Sequence, residues 1–193
     1  MQNICVYCAS NPGVRPAYIQ AARDLGELIA TRGSTIVFGG GRVGLMGALA
    51  DGALQAGGKV IGVMPHGLVE RETAHQGLTE LHVVNTMHDR KAMLASLADG
   101  YIALPGGIGT LEELFETWTW AQLGVHHKPI GLLNVENYWK TMTQFFDQMG
   151  TEGFLRSHTR ELIMTDDNAT NLLQRMETYV PPVVKKWIAL PEA

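Results

Sequence analysis

The stretch Gly100-Tyr101-Ile102-Ala103-Leu104-Pro105-Gly106-Gly107-Ile108-Gly109-Thr110-Leu111-Glu112-Glu113 decides how this chain folds. A short apolar strand runs into a proline and three glycines, and a helix follows that continues Leu114-Phe115-Glu116-Thr117-Trp118. Glycine lets the backbone turn sharply and approach a ligand with no Cβ in the way. A turn of this kind brings several unpaired N–H groups and the positive end of a helix dipole to one point, which makes an anion site, most often for phosphate. The turn lacks the Gly-Lys-Ser/Thr ending of a triphosphate-binding loop. A purely structural turn has no need of three glycines, a proline and a threonine ahead of an acidic helix. Glu112, Glu113 and Glu116 fall within the first two turns of that helix. A phosphate cradle with carboxylates beside it points to chemistry on a phosphorylated sugar or a nucleotide.

The same strand–turn–helix pattern recurs on both sides of this stretch. Apolar runs at residues 3–9, 35–38, 59–64, 81–84, 101–104 and 130–133 read as strands. Amphipathic segments at 17–31, 45–55, 87–97, 110–123, 138–152 and 169–179 read as helices, the first with Pro16 at its start and Gly33 just past its end. Nearly continuous apolar strands that alternate with helices predict an α/β fold, a Rossmann-like doubly wound parallel sheet with helices on both faces. A single domain is expected over residues 1–180, with Pro181, Pro182 and Pro191 marking a loosely held tail over 181–193. Ligands of such sheets bind at the carboxyl ends of the strands, where the glycine loops, the polar loop 66–79 and the segment before Met87 can converge.

Composition narrows the function classes. The chain has 193 residues, 46% of them hydrophobic and 18% charged, with a net charge of −4. No basic footprint for nucleic acid is present, so a phosphate must be held by local geometry. No apolar run approaches the ~20 residues of a membrane span. The start Met1-Gln2-Asn3-Ile4 has no basic leader, which predicts a cytoplasmic protein. Cys5 and Cys8 form a C-x-x-C, but side chains three apart on a strand diverge, so two buried residues are expected and not a redox pair. The seven histidines form no metal-binding pattern, and no metal is expected.

Further candidates come from the remaining loops. Gly39, Gly41 and Gly44 satisfy G-x-G-x-x-G after a strand. The following strand ends Val63-Met64-Pro65-His66, without the acidic residue that a dinucleotide site requires. A nucleotide-contacting turn that includes Gly40 and Gly41 is expected; the alternative is that these glycines serve only tight helix–strand packing. Arg90 and Lys91 open a helix, where two cations oppose the dipole. Pairing with carboxylates or a ligand would explain them, and so would a solvated surface. Ser10, after the first strand, is a ligand contact or a turn cap. Trp118 and Trp120 read as core or as a subunit interface.

Two of these stretches together, Pro105-Gly106-Gly107-Ile108-Gly109-Thr110-Leu111-Glu112-Glu113 and Met87-His88-Asp89-Arg90-Lys91, resemble the lonely guy family of cytokinin riboside 5′-monophosphate phosphoribohydrolases. The family signature P-G-G-x-G-T-x-x-E fits without a mismatch, and the resemblance extends over residues 3–179. It implies hydrolysis of the N-glycosidic bond of an N6-substituted adenosine 5′-monophosphate, with no cofactor and as a homodimer. It implies that Arg90 and Glu113 are the catalytic pair and that Gly106, Gly107, Gly109 and Thr110, with Ile108 and Leu111 in the same turn, hold the 5′-phosphate. Glu72, Lys91, Glu112 and Thr119 are expected near the substrate. The loop around Glu70 and His75 departs from the family pattern, as does Arg42, which bears on the choice of base. Family members often carry a lysine decarboxylase label, yet no residues here would build a pyridoxal phosphate site. A broader purine mononucleotide nucleosidase and a non-catalytic carrier of the molybdenum-cofactor type are the alternatives. A carrier would have no need of both Arg90 and Glu113.

Overall fold

A computed structural model of the chain describes residues 1–69 and 74–182. Seven strands make one sheet: β1 (Asn3–Tyr7), β2 (Thr35–Phe38), β3 (Val60–Pro65), β4 (Glu80–Val84), β5 (Gly100–Ala103), β6 (Ile130–Leu133) and β7 (Ile163–Asp166). Their spatial order is β4-β3-β2-β1-β5-β6-β7, and every neighbouring pair is parallel. The helices are α1 (Pro16–Thr31), α2 (Gly44–Gln55), α3 (His66–Val69), α4 (Met87–Leu97), α5 (Ile108–Gln122), α6 (Lys140–Thr151), α7 (Ser157–Arg160) and α8 (Ala169–Glu177).

The two-residue period of a strand sorts the core into two layers. Ile4 and Val6 of β1, with Cys8 just beyond it, face one layer, against Leu25 of α1, Leu49 of α2 and Leu172 of α8. Cys5 and Tyr7 face the other, against Leu94 of α4, Leu114 and Trp118 of α5 and Phe146 of α6. The doubly wound sheet expected from the sequence is therefore the observed one. Cys5 and Cys8 are both free thiols on opposite faces, and burial pushes both well above the ordinary thiol range. Trp118 is a core residue whose indole N–H donates to the Thr159 carbonyl at 2.9 Å. No helix among the described residues is long and apolar enough to cross a membrane.

The structure departs from expectation at several places, one of them helix α3, which occupies His66–Val69 where a loop was expected. Strand β7 and helix α7 were not legible, because the apolar run Leu162-Ile163-Met164 is too short to show a period. The helix expected from residue 138 begins at Lys140 instead. Ahead of it lies a 3₁₀ turn, Val135–Asn137, and the Trp139 N–H donates to the Asn134 side-chain oxygen at 2.8 Å. Strand β1 ends at Tyr7, two residues early, because the Ala9 carbonyl accepts from Leu45 and Met46 of α2. Of the expected tail, Pro181 and Pro182 carry no regular element, and residues 183–193 lie outside the described residues.

Helices α1 and α2 touch along their backbones. A Cβ added at Gly26 would overlap the Leu49 carbonyl oxygen, so glycine sets the distance between the helices. Gly26→Ala is expected to lower the unfolding free energy by about 1–3 kcal/mol, the cost of overpacking, despite the better helix propensity of alanine. Denaturant titration measures this. A midpoint and slope equal to wild type would show that the helices separate freely.

Candidate functional site

The strand order reverses between β1 and β5. From β1 the chain winds out to β4 on one side, and from β5 to β7 on the other. The loops leaving the carboxyl ends of β1 and β5 diverge there and open a crevice. A cleft of about 640 Å³ occupies it. Ser10 and Asn11 from the loop after β1 form one wall, and Gly107, Ile108, Gly109 and Thr110 at the start of α5 form another. Arg90 of α4 and Glu113 of α5 face the same space, as do Glu112, Gly39, Met46, Leu68 and Met87.

The start of α5 differs from those of α4, α8 and α2. The first turn of a helix has N–H groups with no carbonyl in reach, and these need a partner. In α4 the partner is Thr86, whose side chain accepts from Asp89 N while Asp89 reciprocates. In α8 it is Asn168. In α2 it is the Ala9 carbonyl, which takes the Leu45 and Met46 N–H groups at 3.0 and 3.3 Å. Helix α5 has Gly107 at its cap position and no side chain that caps it. Its first-turn amides at Ile108, Gly109 and Thr110 open on the cleft. A Cβ at Gly106 would overlap the Thr110 hydroxyl, so the turn is packed against its own helix, while Gly107 and Gly109 face open space.

Helices α4 and α5 bring opposite charges together. Arg90 Nη1 lies 3.0 Å from Glu113 Oε1, and both side chains are only about 12–13% exposed. The guanidinium is fixed from behind: Nε donates to the Val63 carbonyl at 3.1 Å, and Nη1 lies 3.3 Å from Met87 Sδ. It rests on the bare face of Gly39, where a Cβ would overlap Nη2. At the next residue of α4, Lys91 Nζ bridges Glu112 at 2.7 Å and Glu116 at 2.9 Å. The two cations that oppose the α4 dipole are thus matched by three carboxylates on α5. Below them, the Tyr7 hydroxyl and the Thr117 hydroxyl bond at 2.8 Å in the core and hold α5 to β1.

These contacts set the titration of the site. Burial pushes the Glu113 carboxyl above the usual glutamate range; the Arg90 guanidinium opposes the rise, and the carboxylates of Glu112 and Glu116 add to it. Burial lowers Lys91, but its bonds to Glu112 and Glu116 outweigh burial, and its pKa is raised. Lys91 therefore stays charged and partly neutralises the acidic face beside Glu113.

The sequence-predicted residues divide into three groups. Arg90, Glu113, Glu112, Ser10, Gly107, Ile108, Gly109 and Thr110 converge on the cleft. Gly106, Lys91, Leu111, Thr119, Gly40 and Gly41 do not line it. Gly106 borders a smaller cavity behind the turn, and Leu111 packs on the core. Thr119 donates to the Phe115 carbonyl within α5. Gly40 packs toward Leu81 and Met64, and Gly41 bridges to Ala74. Glu70 and Glu72 lie outside the described residues. Sequence reasoning read Gly39 within the first glycine loop and Met87 at a helix start, and it missed Asn11 and Leu68 as lining residues. Asn11 was open to discovery as the neighbour of Ser10 at a carboxyl strand end. The bond from Arg90 to a main-chain carbonyl leaves no mark in sequence. Among the described residues, no group of three or more His, Cys, Asp or Glu is placed to hold a metal ion.

Comparison with known proteins identifies the family. Residues 46–176 match the family model described as "Possible lysine decarboxylase". A cytokinin riboside 5′-monophosphate phosphoribohydrolase of Arabidopsis thaliana is 45% identical over 180 residues, spanning 93% of this chain and 83% of that protein. A probable enzyme of the same name from Oryza sativa subsp. japonica is 46% identical over 181 residues, spanning 94% and 74%. This chain belongs to the lonely guy family. The curated relatives of this lonely guy protein thus carry phosphoribohydrolase names and not the decarboxylase description. The molybdenum cofactor carrier protein of Chlamydomonas reinhardtii matches with a TM-score of 0.70 at 21% identity, covering 92% of this chain and 98% of that one. The molybdenum cofactor binding protein of Rippkaea orientalis matches at 0.67 and 21%, covering 91% and 95%. At that identity the likeness is one of fold.

Gly39→Ala is expected to displace the Arg90 guanidinium and leave the burial of Glu113 less opposed. The Glu113 carboxyl then titrates higher than in wild type, with an unchanged circular dichroism spectrum. Carbon-13 NMR of the labelled side-chain carboxyl measures it. An unshifted titration would show that Arg90 reaches Glu113 without the space at Gly39.

Proposed function

We propose that this chain is a cytokinin riboside 5′-monophosphate phosphoribohydrolase, which hydrolyses the N-glycosidic bond of an N6-substituted adenosine 5′-monophosphate to the free base and ribose 5-phosphate. One juxtaposition carries the proposal: an uncapped helix start and a buried arginine–glutamate pair share one cleft. The names of the curated relatives support it. The amides of Gly107, Ile108, Gly109 and Thr110 take the 5′-phosphate. Ser10 supplies a polar contact from the opposite wall, and Lys91 holds Glu112 in place. Gly40, Gly41, Leu111 and Thr119 shape the elements behind the lining. A homodimer belongs to the same proposal on the family resemblance alone.

The chemistry follows from charge. Breaking the bond between the anomeric carbon and the base leaves positive charge on the sugar ring, an oxocarbenium-like state. An ionised Glu113 beside that carbon stabilises the transition state more than the ground state and orients the attacking water. Arg90 cannot give up a proton near neutral pH, so it acts by orienting Glu113 and by holding it ionised against burial. The phosphate cradle fixes the sugar so that the reacting atoms meet in one geometry.

Three outcomes test the proposal. Free base should be released from AMP or N6-isopentenyl-AMP far faster than from the matching nucleosides, as chromatography of the products would show; equal rates would remove the role of the phosphate. Glu113→Gln should keep the fold and lose on the order of 10²–10³ in turnover, the usual loss when one electrostatic stabiliser is removed. The wild-type pH profile should carry the matching sign. Burial raises the Glu113 pKa, and the ionised form is the active one, so activity falls on acidification at a pH above the ordinary glutamate value of about 4.3. An acid limb at or below that value would take Glu113 out of the rate.

A further inference from the structure

Behind the glycine turn lies a second cavity of about 260 Å³, bounded by Pro12, Tyr18, Leu45, Pro105 and Tyr138. Gly107 borders both this cavity and the main cleft, so the turn is the partition between them. On the rear side the Tyr138 hydroxyl donates to the Gly106 carbonyl at 2.5 Å. The peptide that follows is trans, as are all the described peptides, and a trans peptide points its C=O and its N–H in opposite directions. With the Gly106 oxygen held toward Tyr138, the Gly107 N–H faces the other way, into the cleft. That N–H has no acceptor among the described residues.

A peptide between two glycines is the one most free to rotate, because neither residue has a Cβ to restrict it. The segment that carries Tyr138 is correspondingly rigid. Glu136 and Asn137 both adopt positive φ, 52° and 59°, a costly conformation for residues other than glycine. Asn134 ties this turn to the end of β7 through Asp166, at 2.8 Å, and accepts from Trp139, whose side chain is buried. The Tyr138 ring meets the Tyr18 ring edge-on, at 5.7 Å between centroids. A strained and anchored turn thus delivers one hydroxyl to one carbonyl.

We infer that Tyr138 is a positioning residue, which fixes the Gly106-Gly107 peptide with its N–H turned toward the phosphate. The inference rests on the nucleotide-hydrolase proposal above. It adds an element to the site that lies outside the glycine signature and outside the cleft.

Tyr138→Phe tests it, because that change removes the hydroxyl and keeps the ring against Tyr18. Ribose 5-phosphate should bind about tenfold more weakly by calorimetry, in line with the loss of a single hydrogen bond. KM for AMP should rise by a similar factor with kcat within about twofold, since the pin acts on phosphate binding and not on the bond being broken. Cleavage of the unphosphorylated nucleoside should be unchanged. A purely structural role would affect nucleotide and nucleoside alike, and that result would overturn the inference, as would wild-type affinity for ribose 5-phosphate. A second measurement needs no variant: titrating the nitrogen-15-labelled wild-type protein with ribose 5-phosphate should shift the Gly107 amide strongly, and an unmoved amide would overturn the inference. If wild-type protein cleaves no mononucleotide, while Gly107 still shifts and Tyr138→Phe still weakens binding, the enzymatic proposal fails and the pin stands. If cleavage is normal and Tyr138→Phe binds like wild type, only the pin fails.

Discussion

Hydrogen-bond donors at the start of α5 are left without an internal partner, and much of the molecule is arranged around that fact. Helices α4, α8 and α2 close their first turns with a threonine–aspartate box, an asparagine and a main-chain carbonyl. Gly107 offers α5 nothing of the kind. Gly107, Ile108 and Gly109 are exposed, so water can serve these donors, and an anion that enters the cleft takes its place. The position of this helix start adds to the effect, since the reversal of strand order between β1 and β5 parts the neighbouring loops and leaves room in front of it.

Electrostatics of the cleft follow from two helices facing each other with mismatched charge. Three carboxylates on α5 would repel one another if α4 were neutral. Arg90 and Lys91 offset that repulsion, at a point where their own helix dipole disfavours them. The division of labour is uneven. Lys91 takes two partly exposed carboxylates, and such contacts contribute little to stability because solvent screens them. Arg90 takes the buried one, where desolvation is strong and the pairing decides the protonation state. Glu113 is held between burial, which favours the neutral acid, and a guanidinium, which favours the anion. Groups balanced in this manner are the ones that enzymes use near neutral pH.

Most of the sheet was legible from apolar runs and glycine turns, because a parallel strand buried on both faces has an unmistakable composition. Strands β2 and β6 and helix α4 fall where the pattern places them. Strand β7 escaped because four residues at a sheet edge carry too little pattern. Within the site, the second glycine loop was legible through its own chemistry, and Arg90 and Lys91 through their poor fit to the dipole. The first glycine loop was ambiguous for a physical reason. Glycine serves close packing and ligand contact equally well, and only coordinates show that the amides beyond Gly44 go to the Ala9 carbonyl. The room that Gly39 leaves for Arg90 and the bond from Tyr138 to Gly106 were invisible, because each acts through a residue far away in the chain. The residues that resemblance named and those that geometry assembles overlap at Arg90, Glu113 and most of the α5 turn, and diverge at Gly106, Lys91 and Thr119.

The Ala9 carbonyl bears on where the crevice admits an anion. Besides α4, whose first turn is closed by Thr86, two helices, α2 and α5, begin at the same crevice, and nucleotide-binding proteins of this architecture can use such a helix start for each anionic group. Here one of the two is plugged by the protein's own backbone oxygen, which presents partial negative charge where a second anion would have to sit. The start of α2 is thereby closed by the chain's own backbone, and the start of α5 is left with its donors open to the crevice.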